Sequence, residues 1–122
     1  GVDTDQSPII DGLYGEGITV TSAMKGLAPT TIDTLTDVVI NGKWADYAGK
    51  IDTLGLVSGD DASLNYVQIP ATTQYEDGKF TAADYAALVK GMFDGTIKVS
   101  NDISAIPATT NTNVDNQGNI KG

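Results

Sequence analysis

A β-branched run that leads directly into an amphipathic helix is the feature that most limits the folds open to this chain. Residues 18–25, ITVTSAMK, alternate as a strand does, and residues 26–43 place four apolar side chains on one helical face: Ile32, Leu35, Val38 and Val39. Pro29 suits the first turn of that helix, and Gly42 suits its C-terminal end. The succession predicts a strand–helix unit. Tertiary packing must hold this helix, because its threonines and paired valines lower its intrinsic propensity.

The most regular helical pattern follows Phe80. Thr81 is a favoured N-cap, and Asp84 comes three residues later, which is the spacing of a capping box. The residues after it form an apolar stripe at helical spacing: Tyr85, Leu88, Val89, Met92 and Phe93. Gly95 predicts the end of this helix, and the next five residues, TIKVS, read as an extended segment.

The remaining segments predict loops and short strands. Residues 7–17 hold three glycines and a proline and read as a loop. Residues 51–57 and 64–69 read as strands, which Gly59 and Asp60 would join in a hairpin. The order of elements predicts an α/β or α+β fold. Because two good helices and a few short strands make an incomplete doubly wound sheet, we expect this chain to be part of a longer protein.

Length and composition predict one folded unit followed by a polar tail. The chain has 122 residues and 40% hydrophobic residues, enough for one domain with a core. We place the folded unit at residues 1–102. Residues 103–122 are polar and rich in Asn and Thr, and they leave room for one short strand between Asn119 and Lys121.

The charged residues exclude several classes of function. The formal net charge is −9, and no Arg, His or Cys is present. Nucleic acid and anionic membrane surfaces need basic clusters, so neither is an expected partner. The missing His and Cys exclude a Ser-His-Asp triad, a thiolate nucleophile and a Cys-ligated zinc site. We therefore expect a non-catalytic protein with no cofactor.

Two carboxylates and one lysine are candidate ligand-binding residues. Asp3 and Asp5 lie in the opening segment GVDTDQ, and a carboxylate can accept hydrogen bonds from the vicinal hydroxyls of a sugar. Composition alone favours the plainer alternative, a turn or a helix N-cap. Lys25 closes the predicted strand and can donate to hydroxyl oxygens, although an exposed surface lysine is the ordinary interpretation.

Residues 73–84 echo the loop of a calcium-binding EF-hand. Asp77, Gly78 and Asp84 fall at positions of that motif, but the two earlier ligand positions hold Thr73 and Tyr75, which supply no carboxylate. An Asp-Gly turn followed by a helix cap explains the segment better. A cell-surface interaction or calcium-binding module remains the alternative function.

Taken in order, several segments resemble the C-terminal part of the basic membrane protein family, which includes lipoproteins like the purine nucleoside receptor A. The segments are GVDTDQ, ITVTSAMK, INGKW, GLVSGDD and MFDGTIKVSND, and the resemblance covers about residues 1–102. It implies an α/β fold of the periplasmic-binding-protein type I, a Rossmann-like three-layer architecture with two lobes, to both of which residues 1–102 contribute. It also implies the solute-binding component of an ABC transporter, which holds a nucleoside, foremost a purine nucleoside, between the lobes.

The resemblance implies roles for individual residues. Asp3 is similar to the family aspartate that binds ribose hydroxyls, and Lys25 is similar to the family lysine that reaches the same ribose. Asp5 and Gln6 would support the loop. The implied partners are the permease subunits of the transporter, and the implied location is extracytoplasmic, with a lipid anchor on an N-terminal cysteine outside this chain. We further expect exposed sheet edges to promote self-association.

Overall fold

The computed structural model describes residues 1–100, 102, 104 and 108–115, and it has mixed α/β structure. Three short strands form one sheet: β1 (Val2–Asp3), β2 (Ala23–Lys25) and β3 (Val67–Gln68). The central strand β2 runs parallel to β1 and antiparallel to β3. The expected combination of strands and helices is confirmed at this level of detail.

The first helix, α1, spans Ser7–Tyr14 and connects the parallel strands β1 and β2. The prediction of a loop at residues 7–17 is therefore wrong over most of its length. Pro8 lies in the first turn, where its missing N–H costs nothing. Gly15 ends the helix with a positive φ of 125°, and its N–H donates to the Asp11 carbonyl. Glycines and a proline thus mark the two ends of a helix here.

The second helix, α2, spans Leu27–Leu35 and continues into one π-helical turn, Thr36–Ile40. The helix predicted within residues 26–43 is confirmed. Gly42 follows with φ 67°, a conformation that glycine adopts without strain. A short helix, α3 (Trp44–Tyr47), comes next.

The last helix, α4, spans Ala82–Phe93 and begins as the sequence predicts. Both halves of the capping box are present: the Asp84 N–H donates to Thr81 Oγ1 at 3.3 Å, and the Thr81 N–H donates to Asp84 Oδ2 at 2.8 Å. Gly95 has a φ of 76° just beyond the helix. This element is confirmed because every interaction that defines it lies within a few residues.

The predicted hairpin of residues 51–57 and 64–69 is wrong. Only Val67–Gln68 forms a strand, and it pairs with β2 instead of with residues 51–57. The buried side chain of Asn65 explains the difference. Its Oδ1 accepts from the backbone N–H groups of Val57 and Ser58, at 2.7 and 2.8 Å, so those donors are not available to a ladder.

The predicted strand 18–25 is also shorter than expected. Its first half is held by the side chain and backbone of Gln74. Gln74 Nε2 donates to the carbonyl of Thr19 at 2.8 Å, and the Gln74 N–H donates to the carbonyl of Val20 at 2.9 Å. Amide contacts thus replace sheet pairing in this half.

Apolar side chains are largely exposed. Among the described residues, Val89 alone has a buried hydrophobic side chain, which is 2% exposed. Large apolar side chains on the first two helical segments face solvent: Ile9, Leu13, Ile32, Leu35, Val39 and Ile40. No helix in the described part of the chain has the length and hydropathy needed to cross a bilayer. The expected strand at Asn119–Lys121 lies outside the described residues.

Candidate functional site

The sheet brings Asp3 and Lys25 together. Strands β1 and β2 are parallel neighbours, and Asp3 pairs with Met24 in their register. Both strands end at the same edge, so their last side chains are adjacent. Lys25 Nζ lies 2.9 Å from Asp3 Oδ1, within salt-bridge distance. The two residues that sequence reasoning singled out separately therefore form one acidic–basic pair.

The pair is open to solvent. The Lys25 and Asp3 side chains are 68% and 61% exposed. Each partner keeps unused hydrogen-bonding capacity, because an ammonium has three donors and a carboxylate has about four acceptor positions. A ligand that offers both donors and acceptors would find complementary groups here.

Asp3 has a strained backbone conformation. Its φ is 73°, and among the described residues other than glycine it alone has a positive φ. The Thr4 N–H donates to the Val2 carbonyl at 3.0 Å, which makes Asp3 the centre of a γ-turn of the rare positive-φ kind. Such conformations cost about 1–3 kcal/mol and concentrate at functional sites. The turn lies at the carboxyl end of β1, where Asp3 is the last residue.

Asp5 is hydrogen-bonded within the loop that follows β1. Its Oδ1 accepts from the Ser7 N–H at 3.0 Å and from the Ser7 hydroxyl at 2.8 Å, and its Oδ2 accepts from the Thr72 hydroxyl at 2.8 Å. These bonds, those from Ser7 foremost, lower the pKa of the Asp5 carboxyl. The carboxylate is occupied by protein donors, so Asp5 holds the start of α1 in place.

Gln6 connects the same loop to β2. Its N–H donates to Ser22 Oγ at 3.2 Å, and its side-chain Nε2 donates to the Val2 carbonyl at 3.0 Å. Ser22 is completely buried. Sequence reasoning missed Ser22, because it lies inside the predicted strand 18–25 and its contact with Gln6 comes from a distant segment.

Gly26 fixes the chain immediately after Lys25. Its N–H donates to the Tyr66 carbonyl at 2.8 Å. A Cβ atom added at Gly26 would lie 2.3 Å from the Asn65 carbonyl oxygen and 2.9 Å from Tyr66 Cα. Only glycine allows the two backbones to approach so closely. Sequence reasoning missed this residue too, because the requirement comes from a distant segment.

Residues 72–74 lie beside the loop that leads into β2. Thr73 Oγ1 and Thr21 Oγ1 share a hydrogen bond of 2.9 Å, and Gln74 Nε2 also donates to the Gly17 carbonyl at 3.0 Å. Thr73 occupies a calcium-ligand position of the EF-hand-like motif. In the structure this side chain instead contacts Thr21, in the segment that leads into β2.

The EF-hand-like segment forms a turn and a cap. Glu76 and Phe80 exchange backbone hydrogen bonds of 3.0 Å around Gly78, whose φ is 77°. Asp84 uses its carboxylate in the capping box of α4. In the described part of the chain no group of three or more His, Cys, Asp or Glu side chains could hold a metal ion. The Asp-Gly turn is the interpretation that the geometry favours.

Two shallow grooves lie away from the Asp3–Lys25 pair. One, of about 410 Å³, is lined by Ala28, Pro29, Ile32, Asp33, Val57, Ser63 and Leu64. The other, of about 310 Å³, lies beside Tyr75 and Tyr85. Neither is lined by Asp3 or Lys25. Since both of its side chains are more than half exposed, the acidic–basic pair is an open surface site.

Comparison of the chain with protein family models, with curated proteins and with solved structures finds no match. The chemistry of the site therefore rests on its own residues. A carboxylate and an ammonium held 2.9 Å apart can bind a pair of neighbouring hydroxyl groups, one as donor and one as acceptor.

Proposed function

We propose that this chain is the nucleoside-binding C-terminal part of a bilobed, extracytoplasmic solute-binding protein of the basic membrane protein type, which serves an ABC transporter. The observation that carries the proposal is the Asp3–Lys25 pair, 2.9 Å apart at the carboxyl ends of adjacent parallel strands. In open α/β sheets, ligands bind outside the carboxyl ends of the strands. The ribose of the nucleoside supplies the two neighbouring hydroxyls.

Binding exchanges one set of partners for another. Without ligand, Asp3 and Lys25 bond to each other. With a ribose present, a hydroxyl donates to the Asp3 carboxylate and the Lys25 ammonium donates to a hydroxyl oxygen. The exchange is easy, because exposed ion pairs contribute about 0–1 kcal/mol. The turn around Asp3 holds the carboxylate in place before the ligand arrives.

The exposed apolar side chains support the bilobed part of the proposal. Ile9 and Leu13 on α1, and Ile32 and Leu35 on α2, are more than half exposed. A further layer of the periplasmic-binding-protein type I architecture would cover such faces. Closure of the two lobes around the nucleoside would be the working motion, and the permease would receive it. In isolation, the uncovered edges of β1 and β3 would promote self-association, which sedimentation velocity measures.

Calorimetric titration of nucleosides tests the proposal. Adenosine, guanosine, cytidine and uridine are titrated into the protein and into the variants Asp3→Asn and Lys25→Ala. The 2′-deoxynucleosides are titrated in parallel, because they lack one of the two hydroxyls. Lys79→Ala is the matched control, since Lys79 forms an exposed ion pair of 2.7 Å with Glu76 and takes no part in the Asp3–Lys25 pair.

We expect purine nucleosides to bind, both site variants and the deoxy ligands to weaken binding at least tenfold, and Lys79→Ala to change nothing. A tenfold loss corresponds to about 1.4 kcal/mol, the contribution expected of a charge-assisted hydrogen bond. Binding that survives both site variants would reject the proposed site. Absence of binding by every nucleoside would reject the ligand class.

A further inference from the structure

Asn41 and Gly42 form a sequence pair with its own chemistry. Asn41 is the asparagine that precedes a glycine in this sequence. A glycine at the next position leaves the backbone nitrogen unhindered, so that it can attack the asparagine side chain. Both residues are exposed, and a Cβ atom added at Gly42 would meet nothing within 4 Å. The space beside Gly42 is therefore open.

We propose that Asn41–Gly42 is a deamidation site and that the π-helical turn after α2 slows its reaction. The Gly42 backbone nitrogen attacks Asn41 Cγ and loses its proton. A new N–C bond forms, the Cγ–Nδ2 bond breaks, and the side-chain nitrogen leaves with that proton as ammonia. Water then opens the cyclic imide at either carbonyl, which leaves aspartate or isoaspartate at position 41.

Hydrogen bonds restrain Asn41 on both its side chain and its backbone. Its Nδ2 group donates to Asp37 Oδ1 at 2.9 Å, and its N–H donates to the Thr36 carbonyl at 3.0 Å. Its ψ of −5° is helical, which turns the Gly42 nitrogen away from Cγ. Attack requires rotation about ψ and release of the side chain from Asp37. The reaction is thus coupled to opening of this turn.

Asp37 is the centre of the restraint. Its carboxylate also accepts from Lys43 Nζ at 3.1 Å and from the Tyr47 hydroxyl at 3.0 Å. By contrast, no backbone acceptor in the described chain takes the Gly42 N–H. The attacking Gly42 nitrogen therefore has no backbone acceptor in the described chain, whereas the Asn41 side chain is bonded to Asp37. Deamidation would place a second carboxylate beside Asp37, and repulsion between them would loosen the junction between α2 and α3.

Peptide mapping by mass spectrometry tests the proposal. The intact protein is incubated at mildly alkaline pH, and the conversion of each asparagine is followed through its mass gain and through isoaspartate-specific methylation. Asn65 is the internal control, because it is fully buried and its side chain makes three hydrogen bonds. We expect conversion at Asn41 and none at Asn65 while the protein stays folded.

The variants separate the chemistry from the restraint. Because alanine at a φ of 67° would also strain the turn, Gly42→Ala is compared with the wild type in urea, where its side chain should hinder the attacking nitrogen and slow conversion at Asn41 many-fold. Asp37→Ala should accelerate it several-fold, and urea should accelerate the wild-type protein likewise without any substitution. Faster conversion at another asparagine in the folded protein would overturn the site. Equal rates in the folded and urea-unfolded protein would overturn the restraint.

Discussion

Replacement of Gly26 by alanine tests how closely β2 and the segment before β3 approach each other. The added Cβ would lie 2.3 Å from the Asn65 carbonyl oxygen, whereas ordinary contacts of this kind are 3.4–4 Å. The two backbones must therefore separate by about 1 Å, a shift that the Gly26–Tyr66 hydrogen bond of 2.8 Å does not survive. The position is buried, so water cannot take over that bond.

The cost follows from two terms. Overpacking against rigid atoms costs about 1–3 kcal/mol, and loss of a hydrogen bond costs about 0.5–1.5 kcal/mol. We expect Gly26→Ala to lower the free energy of unfolding by about 2–4 kcal/mol. With a urea dependence of about 2 kcal/mol/M, the middle of the usual range for small proteins, the midpoint of urea unfolding should fall by roughly 1–2 M. Far-UV circular dichroism during urea titration measures this shift.

Gly12→Ala is the matched control. Gly12 lies inside α1, and a Cβ atom added there would meet nothing within 4 Å. Alanine is a better helix former than glycine, so this variant should gain about 0.5–1 kcal/mol. Unfolding of Gly26→Ala at the same urea concentration as the wild type, or a shift of both variants in the same direction, would contradict the close approach of the two backbones.

Three further predictions concern other interactions. Asn65→Ala leaves the N–H groups of Val57 and Ser58 without their acceptor and should lower the free energy of unfolding by about 2–4 kcal/mol in urea titration. Thr81→Ala removes the cap of α4 and should cost about 1 kcal/mol, seen as a smaller midpoint shift. The Asp33 carboxylate accepts from the Tyr66 hydroxyl at 2.6 Å and raises the pKa of Tyr66 to about 12. Because the folded pKa lies above the unfolded value near 10, this contribution to stability is complete below pH 10 and disappears as the pH rises through 12. Ultraviolet titration should show one tyrosine that ionises near pH 12, and Asp33→Asn should return the pKa of Tyr66 toward 10.

Local signals account for the elements that the sequence predicted well. The capping box of Thr81 and Asp84 and the periodicity of residues 26–43 depend on neighbours within a few positions. The missed helix α1 had such a signal as well. Asp5 accepts from the N–H and hydroxyl of Ser7, and Asp61 does the same with Ser63 at 2.9 and 2.6 Å. The Asp-x-Ser sequence is therefore a local signal for a helical turn, but the nearby glycines favoured the prediction of a loop.

The strand predictions failed because contacts made by Asn65 and Gln74 competed with the backbone ladder. Nothing local shows that Asn65 will take the donors of residues 57 and 58, or that Gln74 will take the carbonyls of residues 19 and 20. Those contacts join segments that are distant in the chain. Gly26 is a similar case, since the close approach of residues 65 and 66 is what leaves no room for a side chain there.

The two main helices, the mixed α/β character, the strongly acidic charge and the candidate status of Asp3 and Lys25 could all be predicted from the sequence. The contact between these two side chains could not, because it arises from the sheet. Their contact depends on β1 and β2 lying side by side in parallel with one register, in which Asp3 pairs with Met24. Strand register arises from long-range pairing and from the contacts that compete with it, so no pattern of neighbouring residues encodes it alone.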